Sequence, residues 1–121
     1  MRTRQGKNSK KDDHKWTKGD CIVGLYYYRW GTKFLDISDQ EVADIIGTTV
    51  ASMRMKKGNY QAIEKGHGLE HYSQTEKEVF KQYGKSLRYT VYKEVSKHLK
   101  LDEIKRNQIL NRGGRRLKAL R

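Results

Sequence analysis

The sequence contains no proline, only one cysteine and no long apolar run. The single cysteine, Cys21, excludes an intrachain disulfide and indicates a reducing compartment. No apolar segment approaches the roughly 20 residues that span a bilayer, and the first residues lack the apolar stretch of a signal peptide. These absences predict a soluble protein of the cytoplasm, without a membrane partner.

Helical periodicity is the pattern that is present. Several segments repeat apolar residues with the period of an α-helix, and no proline interrupts them. Hydrophobic residues make up 35% and charged residues 34% of the 121 residues, so we expect a modest core and a highly charged surface. Because aromatic residues reach 10%, this core should be folded rather than disordered. The predicted fold class is all-α, in one domain with appendages.

The segment 38–59 carries the pattern of two short helices that meet at a glycine. Ser38 and Glu41 form an S-x-x-E capping box, so the first helix is predicted to begin at Asp39. Gly47 ends it, since glycine adopts a positive φ at low steric cost. Thr48 or Thr49 then caps the second helix. The residues predicted to bury the inner sides of the two helices are Val42, Ile45, Ile46, Val50 and Met53.

The spacing within this segment is typical of a helix-turn-helix. Ala43 is small where the two helices cross, Gly47 forms the turn, and Met53 packs back beneath the first helix. An ordinary helical hairpin in a small all-α core is the alternative. We predict a helix-turn-helix.

A first helix is indicated ahead of this motif. Thr17 and Asp20 form a T-x-x-D cap, and the helix is predicted to run to about Trp30. The loop after it carries three apolar residues that are predicted to plug the core: Phe34, Leu35 and Ile37.

More helices are indicated after the motif. Ser73 and Glu76 form another capping box, Ser86 is predicted to open a longer helix, and Asp102 is predicted to cap a last one that ends at Gly113–Gly114. The longer helix repeats an apolar residue every fourth position, which predicts a buried stripe of Leu87, Val91, Val95 and Leu99. The predicted architecture is a trihelical helix-turn-helix core followed by additional C-terminal helices.

The formal net charge of +13 is concentrated at the two ends of the chain. Residues 1–15 carry +4, residues 16–83 are neutral overall, and residues 84–121 carry +9. We interpret these ranges as a disordered basic arm, a helix-turn-helix DNA-binding domain and a basic helical extension. The flanking charge suits elements that grip a polyanion. For the extension, homodimerisation through residues 86–111 and binding of the DNA backbone are equal alternatives.

The second helix of the motif, around residues 49–59, is predicted to read the major groove of double-stranded DNA. At about 100° per residue, Val50 and Met53 define its inner side. Small and polar residues lie opposite with cations at the edges, which suits contact with base edges and thymine methyl groups. The N–H groups at its start suit a phosphate. The residues predicted to contact DNA are Lys33, Thr48, Thr49, Ser52, Arg54, Met55, Lys56 and Asn59, together with Arg112, Arg115 and Arg116 of the extension.

From Trp16 to Tyr83 the chain reads Trp-Thr-x-x-Asp, an aromatic helix, Ser-Asp-x-Glu-Val-Ala-x-Ile-Ile-Gly-Thr-Thr-Val-x-Ser-Met, and then Asn59-Tyr60, Gly68-Leu69 and Ser73. This order resembles the small DNA-binding module of some bacteriophage-associated proteins, including homing endonucleases. The 38 residues after Tyr83 are too few for the usual nuclease folds. The resemblance therefore implies a sequence-specific DNA-binding protein without a nuclease domain, used as a transcriptional repressor of a phage or mobile element.

No catalytic constellation is evident, so we expect a protein that is not an enzyme. His67 and His71 are four positions apart, but the glycines on either side of His67 disfavour the helix that would align them. The acidic cluster around Glu41 suits a helix N-terminus without a metal. We therefore expect no cofactor, metal or small-molecule ligand. Two alternatives stay open: a DNA-binding fragment or accessory subunit of a homing or restriction endonuclease, and a basic protein that binds structured RNA.

Overall fold

The structure, a computed structural model, describes residues 14–66 and 72–120, and describes side chains as far as Leu110 in the last helix. Within those ranges the fold is all-α, as predicted, with no strand. A short 3-10 helix spans Lys33–Leu35. The α-helices are α1 (Lys18–Trp30), α2 (Asp39–Ile46), α3 (Val50–Lys65), α4 (Gln74–Tyr83), α5 (Arg88–Leu99) and α6 (Leu101–Leu120).

Helix α1 is the centre of the fold. Every residue from Asp20 to Tyr27 is buried, and α1 packs against α3, α4 and α5. Because neighbours cover it on several sides, apolar and aromatic residues occupy most of its circumference rather than one stripe. The Tyr60 hydroxyl of α3 donates a hydrogen bond of 2.7 Å to the Cys21 carbonyl and so joins these two helices.

The predicted capping boxes are confirmed at the starts of α1, α2 and α4. In each, the cap hydroxyl accepts a hydrogen bond from the N–H three residues on, and the acidic side chain there accepts one from the N–H of the cap. The pairs are Thr17 with Asp20, Ser38 with Glu41, and Ser73 with Glu76.

One hydrophobic cluster unites the described residues. Helix α5 contributes the predicted Val91, Val95 and Leu99, and the first residue of α6, Leu101, is fully buried beside them. The domain boundary predicted after Tyr83 therefore has no counterpart in the core, because α5 packs on α1 as α3 and α4 do. The core is larger than the three helices that were expected.

Three apolar residues that were predicted to be buried are exposed instead. Leu87 is 78% exposed because α5 begins one residue later and Leu87 is its cap, with an extended backbone that leaves the buried stripe. Phe34 is 48% exposed, while its neighbours Leu35 and Ile37 do reach the core. Ile45 is 41% exposed, and Val42 and Ala43 supply the buried side of α2.

Helix α6 begins and ends differently from the prediction. It starts at Leu101 because Lys100 adopts the left-handed conformation and ends α5, so Asp102 lies in the first turn rather than at the cap. It continues through Gly113–Gly114 to Leu120. A glycine costs a helix only about 1 kcal/mol relative to alanine, which weakens the helix without ending it.

Candidate nucleic-acid interface

The turn between α2 and α3 has the geometry that its glycine predicts. Gly47 lies at φ 95° and ψ 30°, in the left-handed region. The Ala43 carbonyl accepts hydrogen bonds from the N–H of Gly47 at 2.8 Å and from that of Thr48 at 2.9 Å. Ala43 and Met53 are fully buried on the two sides of the turn. The turn predicted at Gly47 is therefore observed, and Ala43 and Met53 are buried; their packing at a helix crossing stays a prediction.

One carboxylate, that of Asp39, links the start of α2 to α1 and to Thr32, which follows α1. It accepts a hydrogen bond of 3.0 Å from the Tyr27 hydroxyl and one of 2.6 Å from the Thr32 hydroxyl. Burial raises the pKa of Tyr27, the bond to Asp39 raises it further, and the nearby Arg54 guanidinium offsets part of the rise. Arg54, in α3, therefore lies beside this network.

One side of α3 is exposed and carries two small residues, two long uncharged residues and one arginine. These residues recur at spacings of three and four, which places them on one side of a helix. A Cβ added at Gly58 would have no neighbouring atom within 4 Å. We call this surface the outer face of α3; it consists of Ala51, Arg54, Met55, Gly58 and Gln61.

Lys56 and Asn59, predicted to project toward DNA, turn instead toward α4. Glu76 of α4 is fully buried, with the Lys56 ammonium 3.4 Å from its Oε1 and the Asn59 amide donating 3.1 Å to its Oε2. The Lys56 ammonium also lies 4.9 Å from the centre of the Trp16 ring. The DNA-facing side predicted for α3 was therefore wrong by a fraction of a helical turn. Met53 and Tyr60, together with the contacts to Glu76 of α4, define the buried side of α3, whereas Val50 is only half-buried.

The hydroxyls of Thr48 and Thr49, at the start of α3, are buried or bonded within the protein. Thr48 is 4% exposed, and its Oγ1 has no hydrogen-bond partner among the described residues. Its N–H is already bonded to Ala43, so Thr48 does not offer the phosphate contact that was predicted. Thr49 Oγ1 accepts a bond of 3.0 Å from the Ser52 N–H and caps the helix. The N–H groups of Val50 and Ala51, in the first turn, have no acceptor within the helix itself.

Lys33 and the three arginines that were predicted to contact DNA belong to elements other than α3. Lys33 is exposed, and its ammonium lies 5.7 Å from the centre of the Phe34 ring, which the Arg88 guanidinium also covers at 4.2 Å. Arg112, Arg115 and Arg116 belong to α6, but their side chains lie outside the described residues, as does the whole of residues 1–13. Of the predicted set, Arg54 and Met55 share the outer face.

A partly buried cluster that the sequence did not predict lies at the start of α1. The Asp20 carboxylate, 5% exposed, is 2.8 Å from His14 Nε2 and 2.7 Å from His98 Nε2. The His14 ring also lies against Gly47, so the residues before α1 reach the turn of the motif. Among the described residues no group of His, Cys, Asp and Glu is arranged to hold a metal ion. The cluster is a hydrogen-bonded network, and no local spacing in the sequence predicts it.

Comparison with known proteins assigns no family to the chain. No protein-family model, no curated protein and no solved structure matches the chain. None of the helices in the described ranges is both long and apolar enough to cross a membrane. The resemblance to phage-associated DNA-binding modules therefore stays a prediction.

Proposed function

We propose that this protein binds double-stranded DNA sequence-specifically, with the outer face of α3 in the major groove, and acts as a transcriptional repressor. The observation that carries the proposal is the outer face itself. It follows a left-handed glycine turn, and two of its five residues, Ala51 and Gly58, carry little or no side chain between the longer ones. The major groove is about 12 Å wide and admits an α-helix.

The composition of the outer face suits base recognition. Arg54 offers a bidentate guanidinium for guanine, Gln61 an amide for adenine, and Met55, 70% exposed, an apolar contact for a thymine methyl group. Ala51 and Gly58 between them permit close approach of the backbone. An exposed glycine in a helix costs about 1 kcal/mol relative to alanine, so folding alone does not favour Gly58.

The contacts that fix α3 in place favour a preorganised recognition helix. Asp39 ties α2 to α1, and Glu76 ties α3 to α4 through Lys56 and Asn59. A helix fixed in this way needs no rearrangement on binding, which lowers the cost of association. Lys56 and Asn59 therefore act in this proposal as supports of the recognition helix rather than as contacts to bases.

The charge distribution assigns sequence preference and overall affinity to different parts of the chain. Residues 16–83 are neutral overall, whereas residues 84–121 carry +9 and residues 1–15 carry +4. Phosphate contacts supply most of the salt-dependent affinity of DNA-binding proteins, and base contacts supply the preference for a sequence. The repressor role is the part of the proposal that comes from the family resemblance alone.

Selection of bound fragments from a random duplex library tests the proposal. Recovery of one enriched sequence, protected as a discrete footprint without cleavage, is the expected result. Nicking of that site with Mg²⁺ would instead favour an endonuclease accessory role. A preference for folded RNA over every duplex would overturn the proposal.

A further inference from the structure

A solvent-open groove of about 590 Å³ runs between α5 and α6. Helix α5 lines it with Tyr89, Lys93 and Lys97, Lys100 lies at the corner, and Arg106 faces them from α6. We call this the α5–α6 groove. Its lining residues belong to α5, α6 and the corner between them, and none of them belongs to the outer face of α3.

The groove carries more positive than negative charge. Its four cations face the carboxylates of Asp102 and Glu103, both in the first turn of α6, where acidic residues favour the helix dipole. Among the described residues, none of the four cations forms an ion pair with a carboxylate. Their charge is therefore available to an external anion.

Two of the cations lie on one side of α5. Lys93 and Lys97 are four positions apart, about 6 Å along the helix axis, and Lys100 follows just beyond the end of the helix. Tyr89 is 66% exposed, and its hydroxyl suits a phosphate oxygen.

The corner residue adds a second observation. Lys100 lies at φ 57° and ψ 47°, between Leu99 and Leu101, which are 2% and 0% exposed. Glycine is the usual residue at such a left-handed helix end, because a Cβ is disfavoured there. The chain places a lysine where the turn itself would favour glycine.

We propose that the α5–α6 groove binds the phosphate backbone of one DNA strand while the outer face of α3 reads the bases. This inference rests on the proposed function and assigns the backbone contact to Lys93, Lys97, Lys100 and Arg106. The groove supplies affinity without sequence preference, because phosphates carry no base information.

The test compares the double variant Lys93→Gln/Lys97→Gln with a matched control, Lys77→Gln/Lys81→Gln, on the exposed side of α4. Fluorescence anisotropy measures the affinity of the full chain for the selected duplex between about 50 and 200 mM salt. The groove variant should flatten the slope of log K against log salt by about 1.8, since each phosphate contact contributes about 0.9. Equal slopes for the two double variants would overturn the inference.

Lys100→Gly separates binding from folding. It removes one cation and the left-handed strain together, so its thermal midpoint should equal or exceed that of the wild type while the salt slope falls by about 0.9. A lower midpoint with an unchanged slope would assign Lys100 to structure and would contradict the proposal.

The same titrations distinguish failure of the groove from failure of the proposed function. If Arg54→Ala abolishes the preference for the selected duplex and the groove variants bind as tightly as the wild type, only the groove assignment falls. If the wild type binds no duplex at all, both fall. Groove-dependent binding to phosphatidylserine vesicles without duplex binding would also overturn the inference.

Discussion

Nε2 of His98, near the end of α5, lies 2.7 Å from Oδ1 of Asp20, which is 78 positions earlier in the chain. His14 Nε2 lies 2.8 Å from the other oxygen of the same carboxylate. The contact needs Gly19, because a Cβ at that position would overlap the His98 ring. Asp20 thus joins the start of α1, the end of α5 and the residues that precede α1.

The stability of the fold should fall in acid because of Asp20. Burial raises the pKa of this carboxyl, but hydrogen bonds from His98, the Thr17 N–H and His14 outweigh it, so the pKa lies below the ordinary value of 3.8. A depressed pKa stabilises the folded state above about pH 4, and that stability is lost as the pH falls through the folded-state pKa. Urea unfolding between pH 6 and pH 2 measures it, with Asp20→Asn as the comparison. The stability difference between wild type and variant should shrink below about pH 4; parallel curves would contradict the assignment.

Gly19→Ala should destabilise the protein by about 0.5–2 kcal/mol, because the new methyl group displaces the partly exposed His98 ring from the Asp20 carboxylate. A hydrogen bond to a charged group contributes about 1.5–3 kcal/mol, and the helix propensity of alanine offsets about 1 kcal/mol of that loss. Gly58→Ala is the matched control, since nothing lies within 4 Å of the added Cβ and alanine favours the helix by about 1 kcal/mol. Thermal unfolding of both variants checks the pair. Changes of the same sign would mean that the Asp20–His98 contact does not depend on Gly19.

Glu76→Ala should cost about 3–5 kcal/mol, because it leaves the Lys56 ammonium, with a side chain 17% exposed, without its buried partner. The Ser73 N–H and the Asn59 amide lose an acceptor as well. The exposed Glu78 on the same helix is the control, and Glu78→Ala should change stability by no more than about 0.5 kcal/mol. Similar losses in chemical denaturation for the two variants would argue against Glu76 as the link between α3 and α4.

Thr48→Val should stabilise the protein by about 1 kcal/mol. The substitution keeps the shape of the side chain and removes a buried hydroxyl that has no partner among the described residues. At the next position, Thr49→Val removes the N-cap of α3 and should cost about 1 kcal/mol. Guanidinium unfolding compares the two, and a loss of stability in Thr48→Val would reveal a partner for its hydroxyl.

Arg54→Ala should weaken binding to the selected duplex by about 1–3 kcal/mol, roughly 5- to 150-fold, and relax the preference for that sequence. Lys33→Ala should leave the preference unchanged, because Lys33 lies in the 3-10 helix and outside the outer face. An electrophoretic titration against the selected and a scrambled duplex measures both. Unchanged discrimination in Arg54→Ala would remove this residue from base recognition.

The helix starts that were predicted correctly share a physical property: their signals are local. Each capping box couples a hydroxyl and a carboxylate three residues apart, and Gly47 takes its φ of 95° within its own turn. Leu87 shows where local reasoning ends. It continues the apolar spacing of α5 but, as the cap, has an extended backbone that takes it off the buried side.

Local signals in the sequence predict the all-α class, most helix boundaries and the glycine turn, because these depend on hydrogen bonds and periodicity within a few residues. Tertiary packing instead sets the rotation of α3 about its axis, since the buried Glu76 on α4 draws Lys56 and Asn59 inward. It also brought His98 to Asp20 and opened the α5–α6 groove. Such contacts depend on how helices pack against one another, which no spacing within a single helix specifies.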